Sequence, residues 1–303
     1  MQPTQLLEQL HLGDPRSVGR AISLVEDQAD LGIGLMQGLD QQRLDKVLTV
    51  GITGPPGAGK STLTSSLVQQ LRLRGTRVGV IAVDPSSPLT HGALLGDRIR
   101  MMEHALDQDV VVRSMATRGR LGGLCAAAGA TMRIMAASGC RVVLIETVGI
   151  GQSEMDIASL ADITVLVLAP GFGDEIQAMK AGILEVVDLL VINKADMPGA
   201  GKLRFDLGRE AAQSDRVLET VAAENQGIEE LLDRILALET EFRASDEFIL
   251  RRQRSWDKET VDRCLDLLKE HLTEQMHKQS RTEPDPGTAA EALLKRILHA
   301  PGR

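Results

Sequence analysis

In the nine residues Gly54-Pro55-Pro56-Gly57-Ala58-Gly59-Lys60-Ser61-Thr62, the first eight fit the pattern G-x-x-x-x-G-K-S. Chemistry on phosphates needs these residue types at this spacing. Glycines let backbone N–H groups turn inward around the phosphates, a lysine reaches the β- and γ-phosphates, and a hydroxyl ligates Mg²⁺. A helix N-terminus beginning at the lysine adds its dipole to the same anion. The nonapeptide follows a β-branched run and opens a helical one, the context that separates a phosphate-binding loop from a glycine-rich turn.

A second group lies well downstream, where Asn193-Lys194-Ala195-Asp196 ends another apolar run. An aspartate carboxylate accepts from the guanine N1–H and 2-amino group, a donor pair that adenine does not present, so the tetrapeptide favours guanine. Val221-Ala222-Ala223 follows the last apolar run, where a backbone N–H could contact the guanine oxygen. Three carboxylates, Asp84, Asp97 and Glu146, join Ser61 as candidate Mg²⁺ ligands. Octahedral Mg²⁺ keeps several waters, so not all three are direct ligands. Glu146 also begins Glu146-x-x-Gly149, placed where a nucleotide switch carries Asp-x-x-Gly. The next residue is Ile150, which cannot orient a water, and Gln152 follows two positions later.

Placing these groups at one site requires strands that all end on the same edge. The runs 47–53, 77–83, 110–113, 141–146, 163–168, 189–193 and 217–220 are short and β-branched, and longer helical stretches lie between them, notably 60–74, 122–137, 175–185 and 227–242. That alternation predicts βαβ units, an α/β fold with a mostly parallel sheet and right-handed crossovers. Residues 1–45 read as an N-terminal helical extension: Asp14-Pro15 starts a helix on which Val18, Ala21, Ile22 and Val25 recur at helical spacing. Residues 46–243 form the nucleotide domain, and 244–303 a charged helical arm. On that arm Val261, Leu265, Leu268 and Leu272 form a narrow apolar stripe, suited either to packing on the domain or to pairing two copies.

Composition excludes several function classes. With 303 residues, 43% hydrophobic and 25% charged, the chain can bury a substantial core, and with no Tyr and 2% aromatics that core is aliphatic. A net charge of −8 argues against a non-specific nucleic-acid binder. Cys125, Cys140 and Cys264 are too widely spaced for a disulfide framework or a C-x-x-C metal site, and no histidine stands at metal-ligand spacing from them. Neither a membrane-spanning run nor a signal sequence is evident, so a cytoplasmic protein is expected.

Taken together, GPPGAGKST, VDPSS, LGDRIRM, RSMATRGRLGG, ETVGIGQSE, PGFGDEIQAMKAG and NKAD resemble the MeaB/ArgK family of P-loop GTPases over nearly the whole chain. The resemblance implies a SIMIBI-type P-loop fold and a GTPase that serves an adenosylcobalamin-dependent acyl-CoA mutase such as methylmalonyl-CoA mutase. The cobalamin would be held by the partner, since the cobalamin motif Asp-x-His-x-x-Gly is lacking here. It further implies a homodimer joined by C-terminal helices, with an adenosyltransferase as a further candidate partner. Asp84 and Asp97 map to the Mg²⁺ and first-switch region, Glu146 to Gly149 to the second switch, and Gly171 to Lys180 to a third switch facing the mutase. Lys60, Glu146, Gly149 and Lys180 are thus the catalytic candidates, with Arg113, Arg118 and Lys180 as donors of positive charge to the transferring phosphoryl group. The segment 113–119 departs from the family's Arg-Pro-Ser-Pro form, and Val221 stands where Ser is usual. Two other readings stay open: a small-molecule kinase linked to amino-acid transport, and a metal-inserting GTPase.

Overall fold

The computed structural model describes residues 3–26, 30–84, 106–116, 123–147, 158–171, 183–210, 216–277 and 285–298. Seven strands form where the β-branched runs predict them: β1 (Leu48–Thr53), β2 (Val78–Asp84), β3 (Val110–Ala116), β4 (Val142–Thr147), β5 (Ile163–Leu168), β6 (Leu189–Asn193) and β7 (Val217–Thr220). They make one sheet in the order β3-β2-β4-β1-β5-β6-β7, with every ladder parallel. Strands β1, β4, β5 and β6 are buried at every residue, which is why apolar residues dominate both faces and the few polar ones, such as Thr49, Glu146, Thr164 and Asn193, are buried too.

Alternate side chains of each strand feed opposite layers. Leu48, Val50 and Ile52 of β1 and Val142 and Leu144 of β4 pack under helix α5 (Lys60–Leu73) and α9 (Ile228–Arg243). Ile81 and Val83 of β2 and Val143 and Ile145 of β4 face the other way. That face is covered by α6 (Gly123–Ala137) and by the N-terminal helices α1 (Pro3–His11), α2 (Pro15–Glu26), α3 (Asp30–Gln37) and α4 (Gln41–Lys46). Of the stripe read from the sequence, Val18, Ala21 and Ile22 are buried there and Val25 is half-buried against the same layer. Helices α7 (Ile183–Val186) and α8 (Ala200–Glu210) complete the side of β5, β6 and β7. Of the helix expected over 175–185, only its last residues fall in the described set.

The arm consists of α10 (Glu247–His277) and α11 (Pro286–Leu298). Its first turns are pinned to the edge of the sheet where the strands begin. Arg252 donates to both carboxylate oxygens of Asp162, at 3.0 and 3.1 Å, and to the Leu44 and Val47 carbonyls. Asp162 in turn accepts from the Thr49 N–H at 2.8 Å and the Thr49 hydroxyl at 2.6 Å. Arg251 reaches the Asp162 carbonyl and Asp188, and the guanidinium of Arg252 lies over the Phe248 ring at 4.3 Å. Further along, Val261, Leu265 and Leu268 are 57%, 58% and 48% exposed, so this part of the stripe does not pack on the domain. Among the described residues no helix is long and apolar enough to cross a membrane.

Candidate functional site

The strand order puts β1 at the centre of the sheet, with β4 and β5 beside it, and the crevice beyond the strand ends there is where open α/β sheets bind ligands. The loop that leaves β1 is shaped by its glycines. Gly54 has φ +139°, and a Cβ there would stand 2.0 Å from the Val167 carbonyl oxygen of β5. Gly59, at φ +93°, is the N-cap of α5, and its Cβ would stand 2.3 Å from Asn193 Nδ2. Both positions therefore exclude a side chain. Because the N-cap carries no side chain to satisfy them, the first N–H groups of the 14-residue α5 are left for an anion.

Lys60 is buried, and its ammonium donates to the loop carbonyls of Gly54 at 2.8 Å and Pro55 at 3.0 Å. The charge is thus held over the concavity of the loop. Ser61 Oγ donates to Glu146 Oε1 at 2.5 Å, and both side chains are buried. The register explains their meeting: Glu146 pairs with Ile52 of β1 on one side and Ala82 of β2 on the other, so its strand end lies against the phosphate loop. A hydroxyl and a carboxylate converging in a buried, all-oxygen setting suit a hard divalent cation such as Mg²⁺. Asp84 closes β2, next to β4, although its side chain lies outside the described set. The candidates Asp97, Arg118, Gly149, Ile150, Gln152 and Lys180 also lie outside it.

Asn193 ties the two halves of the site together. Its Nδ2 donates to the Ala58 carbonyl at 2.9 Å, and its Oδ1 accepts from the Thr220 hydroxyl and the Ala222 N–H, both at 3.1 Å. One buried side chain therefore sets the phosphate loop against the loop after β7. Lys194, at φ +55°, donates through Nζ to the Gly57 carbonyl at 2.8 Å, adding a second strap. A third comes from α5, where Ser66 Oγ donates to the Ala222 carbonyl at 2.9 Å. Asp196 remains exposed beyond β6. In the Val221-Ala222-Ala223 stretch, the Val221 N–H donates to the Gln226 carbonyl and the Ala222 N–H to Asn193 Oδ1. Pro55 and Pro56 fill unspecified positions of the loop pattern, and Thr62, just after it, is exposed on the first turn of α5.

One expectation is corrected. Arg113, read as a donor of charge to the phosphoryl group, is paired with Glu26 of α2, at 2.9 Å from its Nε, and its Nη2 lies 3.3 Å from Ser23 Oγ. It therefore fastens the edge strand to the N-terminal layer. The sequence also gave no sign that Thr220 and Ser66 help to hold the loop after β7. A buried strand ending in a hydroxyl is the only trace of the first, and the second is an unremarked serine on a helix.

Comparison with known proteins matches residues 18–280 to the family model described as methylmalonyl-CoA mutase-associated GTPase MeaB. A chain from Pyrococcus abyssi is 40% identical over 313 residues, covering 97% of this chain and 96% of that one. The mouse mitochondrial homologue of the methylmalonic aciduria type A protein is 34% identical over 297 residues, covering 91% and 72%. A crystal structure of an LAO/AO transport system kinase superposes with a TM-score of 0.69 at 26% identity, over 98% of this chain and 97% of that one.

Proposed function

The chain belongs to the MeaB family of mutase-associated GTPases, and from that premise we propose that it is a homodimeric, GTP-driven chaperone of an adenosylcobalamin-dependent acyl-CoA mutase. GTP hydrolysis is the activity of the family. The coupling of that hydrolysis to cofactor loading, and to release of damaged cofactor, is the reading offered here. The observation that carries the nucleotide part is the Asn193 bridge, because it locks a phosphate loop and a base loop into one site.

In this reading the N–H groups of 54–59 and the first turn of α5 hold the β- and γ-phosphates. Lys60 exchanges its loop carbonyls for phosphate oxygens. Ser61 and Glu146 would hold Mg²⁺, with Asp84 and Asp97 as further candidates; bound there, the ion neutralises charge on the β- and γ-oxygens. Asp196 accepts from the guanine N1–H and 2-amino group, while the Ala223 N–H donates to the guanine oxygen. Gly149 follows the γ-phosphate. Ile150 cannot orient the attacking water, so turnover alone is slow and rises when the mutase or second protomer supplies order and charge. With Arg113 fastened to Glu26, Arg118 and Lys180 remain the candidate donors from this chain. A ligand that binds two switch conformations unequally shifts the partner between states, which suffices for gating.

The exposed stripe of Val261, Leu265 and Leu268 supports pairing of two arms in a soluble, cytoplasmic protein. The cobalamin stays on the mutase, and an adenosyltransferase is a further candidate partner.

The Asp196→Asn substitution tests the base assignment. An amide offers one donor and one acceptor, which matches the N1–H and 2-oxo group of xanthine and mismatches guanine. The variant should lose GTP by about 10²-fold, the order expected when charged hydrogen bonds are broken, and gain XTP. Unchanged GTP preference would remove Asp196 from the site, and equal use of ATP by the native chain would favour a kinase.

A further inference from the structure

Two consecutive peptide groups in the loop after β7 are each held by a different element. The group joining Val221 to Ala222 gives its N–H to Asn193 Oδ1 at 3.1 Å. The next, joining Ala222 to Ala223, is held through its carbonyl, which accepts from Ser66 Oγ at 2.9 Å and from the Asn225 N–H at 3.3 Å. Both lone pairs of that oxygen are thereby engaged. Ser66 and Ala222 are buried, so water does not compete for the bond. Asn225, in the left-handed region at φ +57°, ends the short helix 222–224, and its Nδ2 donates to Gln69 Oε1 at 3.2 Å. Gln69 lies one turn beyond Ser66, so the loop is fastened at two points to the helix that begins with Lys60 and Ser61.

A peptide group is planar and trans, so its C=O and N–H point in opposite directions. Because Ser66 draws the Ala222 carbonyl towards α5, the Ala223 N–H is aimed away from that helix. We infer that Ser66 is a positioning residue for base selection: its hydroxyl keeps an N–H, and not a carbonyl, turned to the 6-position of the purine. A donor there suits the guanine 6-oxygen and opposes the 6-amino group of adenine. Without the hydroxyl the peptide is free to rotate. The contact with the 6-oxygen then weakens, while those of Asp196 with the N1–H and 2-amino group persist. The inference rests on reading 221–223 as the base loop.

The probe is 6-thio-GDP, which carries sulfur, a weak acceptor, at the 6-position and keeps the N1–H and 2-amino group. The native protein should bind GDP at least about fivefold more tightly than 6-thio-GDP, the effect of one neutral hydrogen bond. Ser66→Ala should bind GDP about fivefold more weakly than native and 6-thio-GDP within about twofold of native, so that the preference is largely lost. Ser66→Thr keeps the hydroxyl and should restore most of it. In Ser66→Ala the Asn225 N–H still serves the Ala222 carbonyl, so no buried acceptor is stranded. Should that variant fold poorly all the same, Gln69→Ala, at an exposed position, loosens the second tie and should lower the preference by about twofold. A general loosening of the structure would weaken both ligands equally. A folded Ser66→Ala protein with the native preference, or a Gln69→Ala protein with it where Ser66→Ala does not fold, therefore overturns the inference. A native protein that binds the two ligands equally defeats the base-loop reading itself, whereas native preference retained in Ser66→Ala defeats only the role of Ser66.

Discussion

Replacing Asn193 by Ala removes three hydrogen bonds at once from a side chain that is 2% exposed. At about 1 kcal/mol net for each, the loss is about 3 kcal/mol, and it would be larger if the Ala222 N–H stayed buried without an acceptor. For a chain of this size, each 1 kcal/mol moves Tm by roughly 2–4 °C, so a fall of about 6–12 °C is expected. The effect on ligand is separate. With the bridge cut, the phosphate loop and the loop after β7 no longer hold a fixed spacing, and affinity for GTP and GDP should fall at least about tenfold, or about 1.4 kcal/mol. Because Asn193 acts by positioning, ITP, which lacks the 2-amino group, should weaken by the same factor as GTP. Thermal melts with and without nucleotide and competition against a fluorescent GDP analogue measure all of these. A variant that melts within 2 °C of the native protein, a threshold of about 1 kcal/mol, and binds GDP normally would refute the argument.

Three other outcomes follow from the same geometry. Lys60→Ala should lower kcat by about 10²–10³-fold, and chelating Mg²⁺ should do likewise in the native protein, both read by phosphate release. Arg252→Met leaves the 4%-exposed Asp162 without its charge partner and should cost about 3 kcal/mol in urea melts, the low end for a buried pair because Arg252 is 29% exposed. The double substitution Leu265→Glu and Leu268→Glu should turn a dimer into a monomer by light scattering while leaving Tm of the nucleotide domain unchanged.

The sheet was legible because parallel strands buried on both faces need unbroken β-branched runs, and runs such as Val142–Ile145 and Ile163–Leu168 have few other uses. The phosphate loop was legible because its glycines answer a local constraint, the positive φ of +139° at Gly54 and +93° at Gly59. What eluded the sequence were pairings over long separations. Arg113 lies on the edge strand β3, and only the tertiary arrangement decides that it meets Glu26 of α2. Asp162 precedes β5 by one residue and reads as a turn aspartate, yet it is the anchor for Arg252, 90 residues on. Asn193 belongs to a base-reading motif by its spacing, but its contacts are with Ala58, Thr220 and Ala222. The arm stripe had two uses open to it, and exposure of Val261, Leu265 and Leu268 leaves packing on the domain as the unused one.

The central claim is that GTP turnover in this chain serves a mutase. Its most direct test is the steady-state rate of GTP hydrolysis, measured with Mg²⁺, alone and with an adenosylcobalamin-dependent acyl-CoA mutase from the same cell. The account predicts slow turnover alone and a rise of at least about tenfold with the mutase, within the range that late-supplied positive charge provides. Equal rates at saturating mutase would contradict it.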